Sequence, residues 1–205
     1  MARLVVSNNN FMDAWILVMR VGFLVFDDVE ELDFVGPLEV FGITSTLTGK
    51  VQVLTISKDG RPVKCRHGLK VQPDYSFRKC PSLDLLIVPG GKGAREFAMR
   101  DSDVLSFIRS QATNAHIASV CTGALVLAET GLLRGHKATT HHAYLRRLEG
   151  YPNIKVVRNS RYVREGNVST SAGISAGIDL ALAIIREKFG NKIAREVVRD
   201  MEYVK

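Results

Sequence analysis

A chain of 205 residues with 46% hydrophobic and 24% charged residues has the composition of a globular domain and length enough for its own core. Three cysteines, Cys65, Cys80 and Cys121, with no CxxC pair, exclude a disulfide framework and a structural zinc site and point to a reducing, cytoplasmic setting. The net charge of +7 raises nucleic acid as a partner, but the basic residues are dispersed and no recognition helix or like-charge tail is visible, so none is expected.

Residues 1–18 carry an apolar run that is broken by Asn8, Asn9 and Asn10, contains Asp13 and is too short to span a bilayer. No cleavage pattern follows it. The segment reads as an N-terminal extension, with Met19 as the functional start and residues 19–205 as a single domain; no membrane association is expected. The short apolar run at 20–26 reads as a strand covered on both faces. Residues 27–43 have Leu32, Val35, Leu38 and Phe41 near helical spacing, with Pro37 predicting a kink or a first-turn proline. A strand over 50–57 and a hairpin over 61–77, turning at Gly68, follow.

"LDLLIVPGG" (83–91) is a buried strand ending in a turn, and 101–113 is an amphipathic helix capped by Asp101 or Ser102. A strand over 115–120 leads into a helix over 123–133 that ends near Gly131. Beyond lie a short strand over 137–142, a polar helix over 143–150, strands around 153–157 and 161–171, and helices over 173–190 and to the end of the chain. Strands alternating with helices predict an open, mostly parallel α/β sheet, in which ligands bind at the carboxyl ends of the strands. The acidic segment after Phe26, the Pro-Gly-Gly after Val88 and Cys121 all fall there.

Cys121 stands at a strand-to-helix corner, where the helix N–H groups and dipole favour a thiolate; the plain alternative is a buried small hydrophobe. Thr122 and Gly123 are small enough for such an elbow. Asp33, flanked by Leu32 and Phe34, must find a partner or change protonation; the alternative is a helix cap, and Glu30 and Glu31 compete for the role. The amides of Gly90 and Gly91 suit an oxyanion hole or only a turn. His141 and His142 end a predicted strand, where adjacent side chains face opposite ways, so at most one points into a site. His67, His116 and His136 show no ligand spacing, and no metal is expected.

"DLLIVPGG", "ASVCTGALVLAETGLLRGHKATTHH" and "TSAGISAGIDLALAII" together resemble the ThiJ/PfpI superfamily, the class I glutamine-amidotransferase-like proteins, over roughly residues 19 to 200. Within it the sequence is most similar to the isocyanide-hydratase branch and to the sensor domains of AraC-type regulators. The resemblance implies a flavodoxin-like three-layer sandwich, a homodimer and Cys121 as nucleophile. It implies an acidic partner four residues before a helix proline, which selects Asp33 through Pro37. Asp at that place and Thr122 after the cysteine look like the hydratase branch; a peptidase-like member carries His after the cysteine. The family usually reads Thr-His-Trp where this chain has Thr140-His141-His142.

The expected function is cofactor-independent hydration of an isocyanide to an N-substituted formamide. Cys121, Asp33 and Thr122 carry the catalysis, and Gly90, Gly91 and His141 bind the small-molecule substrate or its developing charge. The alternatives are a glyoxalase or deglycase of the same superfamily, or a stand-alone ligand or redox sensor. A chain ending at Lys205 leaves no room for the helix-turn-helix module of the regulators, so a DNA-binding protein is not expected.

Overall fold

The computed structural model of the protein describes residues 18–203, so nearly all of the predicted N-terminal extension lies outside the described residues. Seven strands form the main sheet: β1 (Met19–Leu24), β2 (Val51–Ser57), β5 (Tyr75–Ser76), β6 (Leu85–Val88), β7 (His116–Ser119), β10 (Tyr162–Glu165) and β11 (Val168–Ser171). Their order is β10-β11-β7-β6-β1-β2-β5, and every neighbouring pair is parallel except β10 with β11.

The alternating strand residues feed two separate cores. Val21, Phe23, Leu85, Ile87, Ala118 and Val120 pack on one face beneath α1 (Glu31–Thr48) and α6 (Ala176–Asp200). Leu24, Leu86, Val88 and Ile117 pack on the other, beneath α2 (Lys92–Glu96), α3 (Ser102–Gln111) and α4 (Gly123–Thr130). Burial on both faces is why these strands read as unbroken apolar runs. At about 25 cal/mol per Å² of apolar surface, the two cores are the main stabilising term. The expected three-layer sandwich with a mostly parallel sheet is therefore the observed architecture. Among the described residues no helix is long and apolar enough to cross a membrane.

Several elements depart from expectation. Residues 61–77 do contain an antiparallel hairpin, β3 (Val63–Lys64) with β4 (Lys70–Val71), turning through Gly68 at φ +103°. Its far end, β5, instead leaves to pair in parallel with β2. The strand expected over 137–142 is only β8 (Lys137–Ala138), paired in parallel with β9 (Lys155–Val156) in a small sheet of its own. It stops because the Thr139 N–H bonds to the Thr170 side-chain hydroxyl (2.8 Å) rather than to a backbone carbonyl of a neighbouring strand. His142–Tyr144 then form a 3₁₀ turn leading into α5 (Leu145–Glu149).

The last two predicted helices join in α6, which breaks at Gly190 (φ +84°). The short helix α2 has no periodicity long enough to be read from sequence. Pro37 lies two turns inside α1 rather than in its first turn, so the Asp33 carbonyl receives no helical N–H from it. Asp101 caps α3, accepting from the Asp103 and Val104 N–H groups at 2.9 and 3.4 Å.

Candidate active site

Cys121 follows β7 in the left-handed region, φ +57°, a conformation that costs a residue with a Cβ about 1–2 kcal/mol. Neighbouring chain holds it there. Its N–H donates to the Ser171 and Ala172 carbonyls, both at 3.2 Å, and its own carbonyl accepts the Thr140 hydroxyl at 2.7 Å. Gly123 makes the corner possible: a Cβ there would lie 2.1 Å from the Val88 carbonyl oxygen. The elbow is thus built from three regions remote in sequence.

Asp33 arrives from the first turn of α1, with Glu30 at the cap position, so it is not the helix cap. Its carboxylate is fully buried. Oδ2 accepts the Gly90 N–H at 2.9 Å, while Oδ1 has no hydrogen-bond partner among the described residues. The loop after β1 is zipped to the turn after β6: Glu30 N–H donates to Gly90 O (3.1 Å) and Gly93 N–H to Asp28 O (2.9 Å). The approach is close enough to require both glycines. A Cβ on Gly90 would lie 2.5 Å from Thr122 N and 2.9 Å from Asp33 Oδ2, and Gly91 has φ +115°.

Thr122 is completely buried, and its hydroxyl accepts the Gly91 N–H at 3.1 Å and donates to the Gly91 carbonyl at 3.4 Å. The two glycine amides expected to stabilise developing charge are therefore engaged, one by Asp33 and one by Thr122. They tie the acid and the elbow to one turn. The backbone N–H groups of Thr122 and Ile174 instead face the Cys121 sulfur. Ile174 was not singled out from sequence; its φ of +39° follows from tertiary packing and leaves no sequence signal.

Burial pushes Asp33 up to about 7, opposed by the Gly90 N–H and reinforced by the charge of Glu30. Burial and the Asp33 charge push the Cys121 thiol up to about 12, against the pull of the Thr122 and Ile174 amides. The expectation that the helix start favours a resting thiolate is corrected: desolvation outweighs the dipole, because Cys121 is only 5% exposed. The resting pair is a thiol beside a carboxyl group that titrates near neutrality. Two backbone amides, of Thr122 and Ile174, face any negative charge that would form on the sulfur.

His141 and His142 are not on opposite faces, because they are not on a strand. Their rings lie 4.2 Å apart, and both line a groove of about 490 Å³ that adjoins the elbow through Thr140, Ala172 and Ile174. His141 Nδ1 accepts the Ala143 N–H at 3.2 Å, which puts the proton of the neutral ring on Nε2. Burial, with the charges of His142 and Arg95, holds its pKa low. No hydrogen bond joins either histidine to Cys121 among the described residues.

His116 pairs with Ser169 at 2.8 Å and His136 lies 3.6 Å from Glu165, both in other parts of the sheet. The hairpin brings His67 to Glu30 and Glu31, with one ligand-type atom from each within 4.8 Å of the others, a grouping that the sequence spacing did not reveal. Arg66 pairs with Glu30 (3.2 Å) and His67 with Glu31 (2.8 Å), so these four side chains satisfy one another. Burial raises Cys65 and Cys80 to about 11 each, as suits structural thiols.

Residues 19–187 match the model of the DJ-1/PfpI family. The chain is 43% identical over 188 residues to the isonitrile hydratase of Pseudomonas putida, covering 91% of this chain and 79% of that protein. It is 28% identical over 181 residues to the HTH-type transcriptional regulator GbdR of Pseudomonas aeruginosa, covering 86% of this chain and 48% of the regulator. Among solved structures, a ThiJ/PfpI family protein from Pseudomonas syringae superposes with a TM-score of 0.84 at 31% identity, covering 100% of this chain and 83% of that one. The elbow cysteine and its buried acid are thus carried by a chain that belongs to the DJ-1/PfpI family.

Proposed function

We propose that the protein hydrates isonitriles to N-substituted formamides. The observation that carries the reading is the buried Asp33 carboxyl set beside the Cys121 thiol, close enough that each shifts the titration of the other. The 43% identity to an isonitrile hydratase over most of both chains supports it.

In this reading the Cys121 sulfur attacks the terminal isonitrile carbon. The thiol proton passes through Asp33 to that same carbon, giving a thioimidate, R–N=CH–S–Cys. The Thr122 and Ile174 amides stabilise sulfur as its proton leaves. Water then adds to the carbon while Asp33 takes its proton and returns it to nitrogen. Collapse expels sulfur, which recovers a proton, and releases R–NH–CHO. One isonitrile and one water balance one formamide, with no oxidant or reductant. Thr122 acts by locking the elbow to Gly91, and His141 lines the approach. A homodimer belongs to the same proposal.

The test is formamide production from cyclohexyl isocyanide by the purified protein. Cys121→Ala and Asp33→Asn are each expected to lower turnover by about 10³-fold or more. Turnover of methylglyoxal without any formamide would replace the reading by a glyoxalase. Rapid peroxide oxidation of Cys121 with no turnover of either substrate would replace it by a sensor, the reading that the likeness to a regulator favours.

A further inference from the structure

The groove of about 490 Å³ beside the elbow is of a size that suits a small molecule, and its chemistry is one-sided. Leu32 and Leu145 supply the apolar wall. The polar wall carries Arg161 as its one permanently charged side chain, with His141, His142 and Ser175 beside it, and no carboxylate side chain lines it among the described residues.

Arg161 is held in place before any ligand arrives. Its Nε donates to Asp179 Oδ2 at 2.7 Å and its Nη2 to Ser175 Oγ at 3.2 Å, with Nη2 also paired to Asp179. Nη1 has no partner among the described residues, and the side chain is about half exposed. The Arg161 carbonyl accepts the Ala172 N–H at 2.9 Å, while the Ala172 carbonyl is one of the two that hold Cys121. The backbones of Arg161 and Cys121 are therefore tied together through the single residue Ala172. A guanidinium pinned in advance by its Nε and Nη2, with Nη1 still open, loses little freedom on binding an oxyanion. His141, protonated on Nε2 when neutral, adds a donor on the same groove.

We propose that this groove receives the N-substituent of the substrate and selects substituents that carry a carboxylate, with Arg161 as the specificity-determining anchor. The substrate class is then an isocyano-carboxylate rather than a plain alkyl or aryl isonitrile. The assignment of the substituent rests on the hydratase reading; the carboxylate preference of the groove does not.

The experiment measures binding of N-formylglycinate, the product from isocyanoacetate, and of its neutral methyl ester by titration calorimetry. Hydration of isocyanoacetate and methyl isocyanoacetate is followed in parallel. The wild-type protein is expected to bind the anion at least about 10-fold more tightly than the ester. Arg161→Met is expected to abolish that ratio while leaving ester binding unchanged.

Because Arg161→Met breaks the ion pair of the buried Asp179, the double variant Arg161→Met/Asp179→Asn removes both charges of that pair and carries the same expectation. Equal binding of anion and ester by the wild-type protein, or no binding of either, overturns the proposal whatever the variants do. Discriminating binding without hydration of any isonitrile keeps the carboxylate groove and removes the hydratase reading. Hydration of both isonitriles with equal kcat/KM and equal product binding does the reverse.

Discussion

Asparagine at position 33 has the shape of the protonated carboxyl and can still accept the Gly90 N–H, but it cannot ionise. The difference in stability between Asp33→Asn and the wild type therefore isolates the energetic consequence of burying an ionisable group at the site. Asp33 titrates at about 7 in the fold against 3.8 as its ordinary value. Its folded pKa is raised, so its contribution to stability is fully present below 3.8 and is lost as pH rises towards 7. Between those values the unfolded chain releases a proton that the native state keeps, and stability falls by about 1.4 kcal/mol per pH unit. Above pH 7 the loss levels off at about 4 kcal/mol. The Cys121 thiol, pushed up to about 12 from 9.0, stays protonated in the fold throughout; its unfolded counterpart begins to ionise only towards pH 8.5, a small slope that both proteins share.

The variant escapes the whole loss. It is expected to match the wild type near pH 4 and to exceed it by about 4 kcal/mol at pH 8, or roughly 8–16 °C in Tm for a domain of this size. Urea unfolding of both proteins at half-unit intervals from pH 4.5 to 8.5 measures the gap. A gap that stays constant with pH, or a variant less stable than the wild type at pH 8, refutes the raised carboxyl. The same variant is expected to be inactive, so that stability and turnover move in opposite directions.

Carboxamidomethylation of Cys121, followed by peptide mass mapping to separate it from Cys65 and Cys80, is expected to accelerate still between pH 9 and 10; a plateau below pH 8 contradicts the raised thiol. Thr140→Val removes the donor to the buried Cys121 carbonyl and is expected to cost about 1–3 kcal/mol in urea unfolding, with Thr140→Ser restoring most of it. Gly123→Ala drives a Cβ to 2.1 Å from the Val88 carbonyl oxygen and is expected to cost about 3 kcal/mol or more. Gly131→Ala, with open space but φ +82°, is expected to lose only about 1–2 kcal/mol. Equal losses for the two alanine variants would show that the contact at position 123 relaxes freely.

What sequence could reveal followed from how local each cause was. Leu85–Val88 is buried on both faces, so the strand is written in the residues themselves. The elbow at Cys121 was legible because an apolar strand runs directly into the small residues that open a helix. Its left-handed backbone was not, since the carbonyls of Ser171 and Ala172 impose it from another strand. The expected thiolate failed for the same reason: the helix start is local, whereas the burial that outweighs it comes from the whole fold. His141 and His142 were misplaced on a strand because Thr139 bonds to a side chain rather than to a ladder partner. The cluster of Glu30, Glu31 and His67 depends on a hairpin folding back over α1, which no spacing announces. Asp33 was distinguished from its acidic neighbours only by the family resemblance, not by pattern.

The clamp on Cys121 also sets a time at which the chemistry can exist. Both carbonyls that hold its N–H lie at the end of β11, the last strand of the sheet in chain order, paired with β7 only through long-range contacts. Such pairings form late, after much of the chain has collapsed. A nascent or half-folded molecule therefore carries a cysteine with no elbow, no facing amide from Ile174 and no fixed acid beside it. The surroundings of the Cys121 thiol therefore depend on the pairing of β7 with β11, and a chain lacking that pairing lacks the elbow.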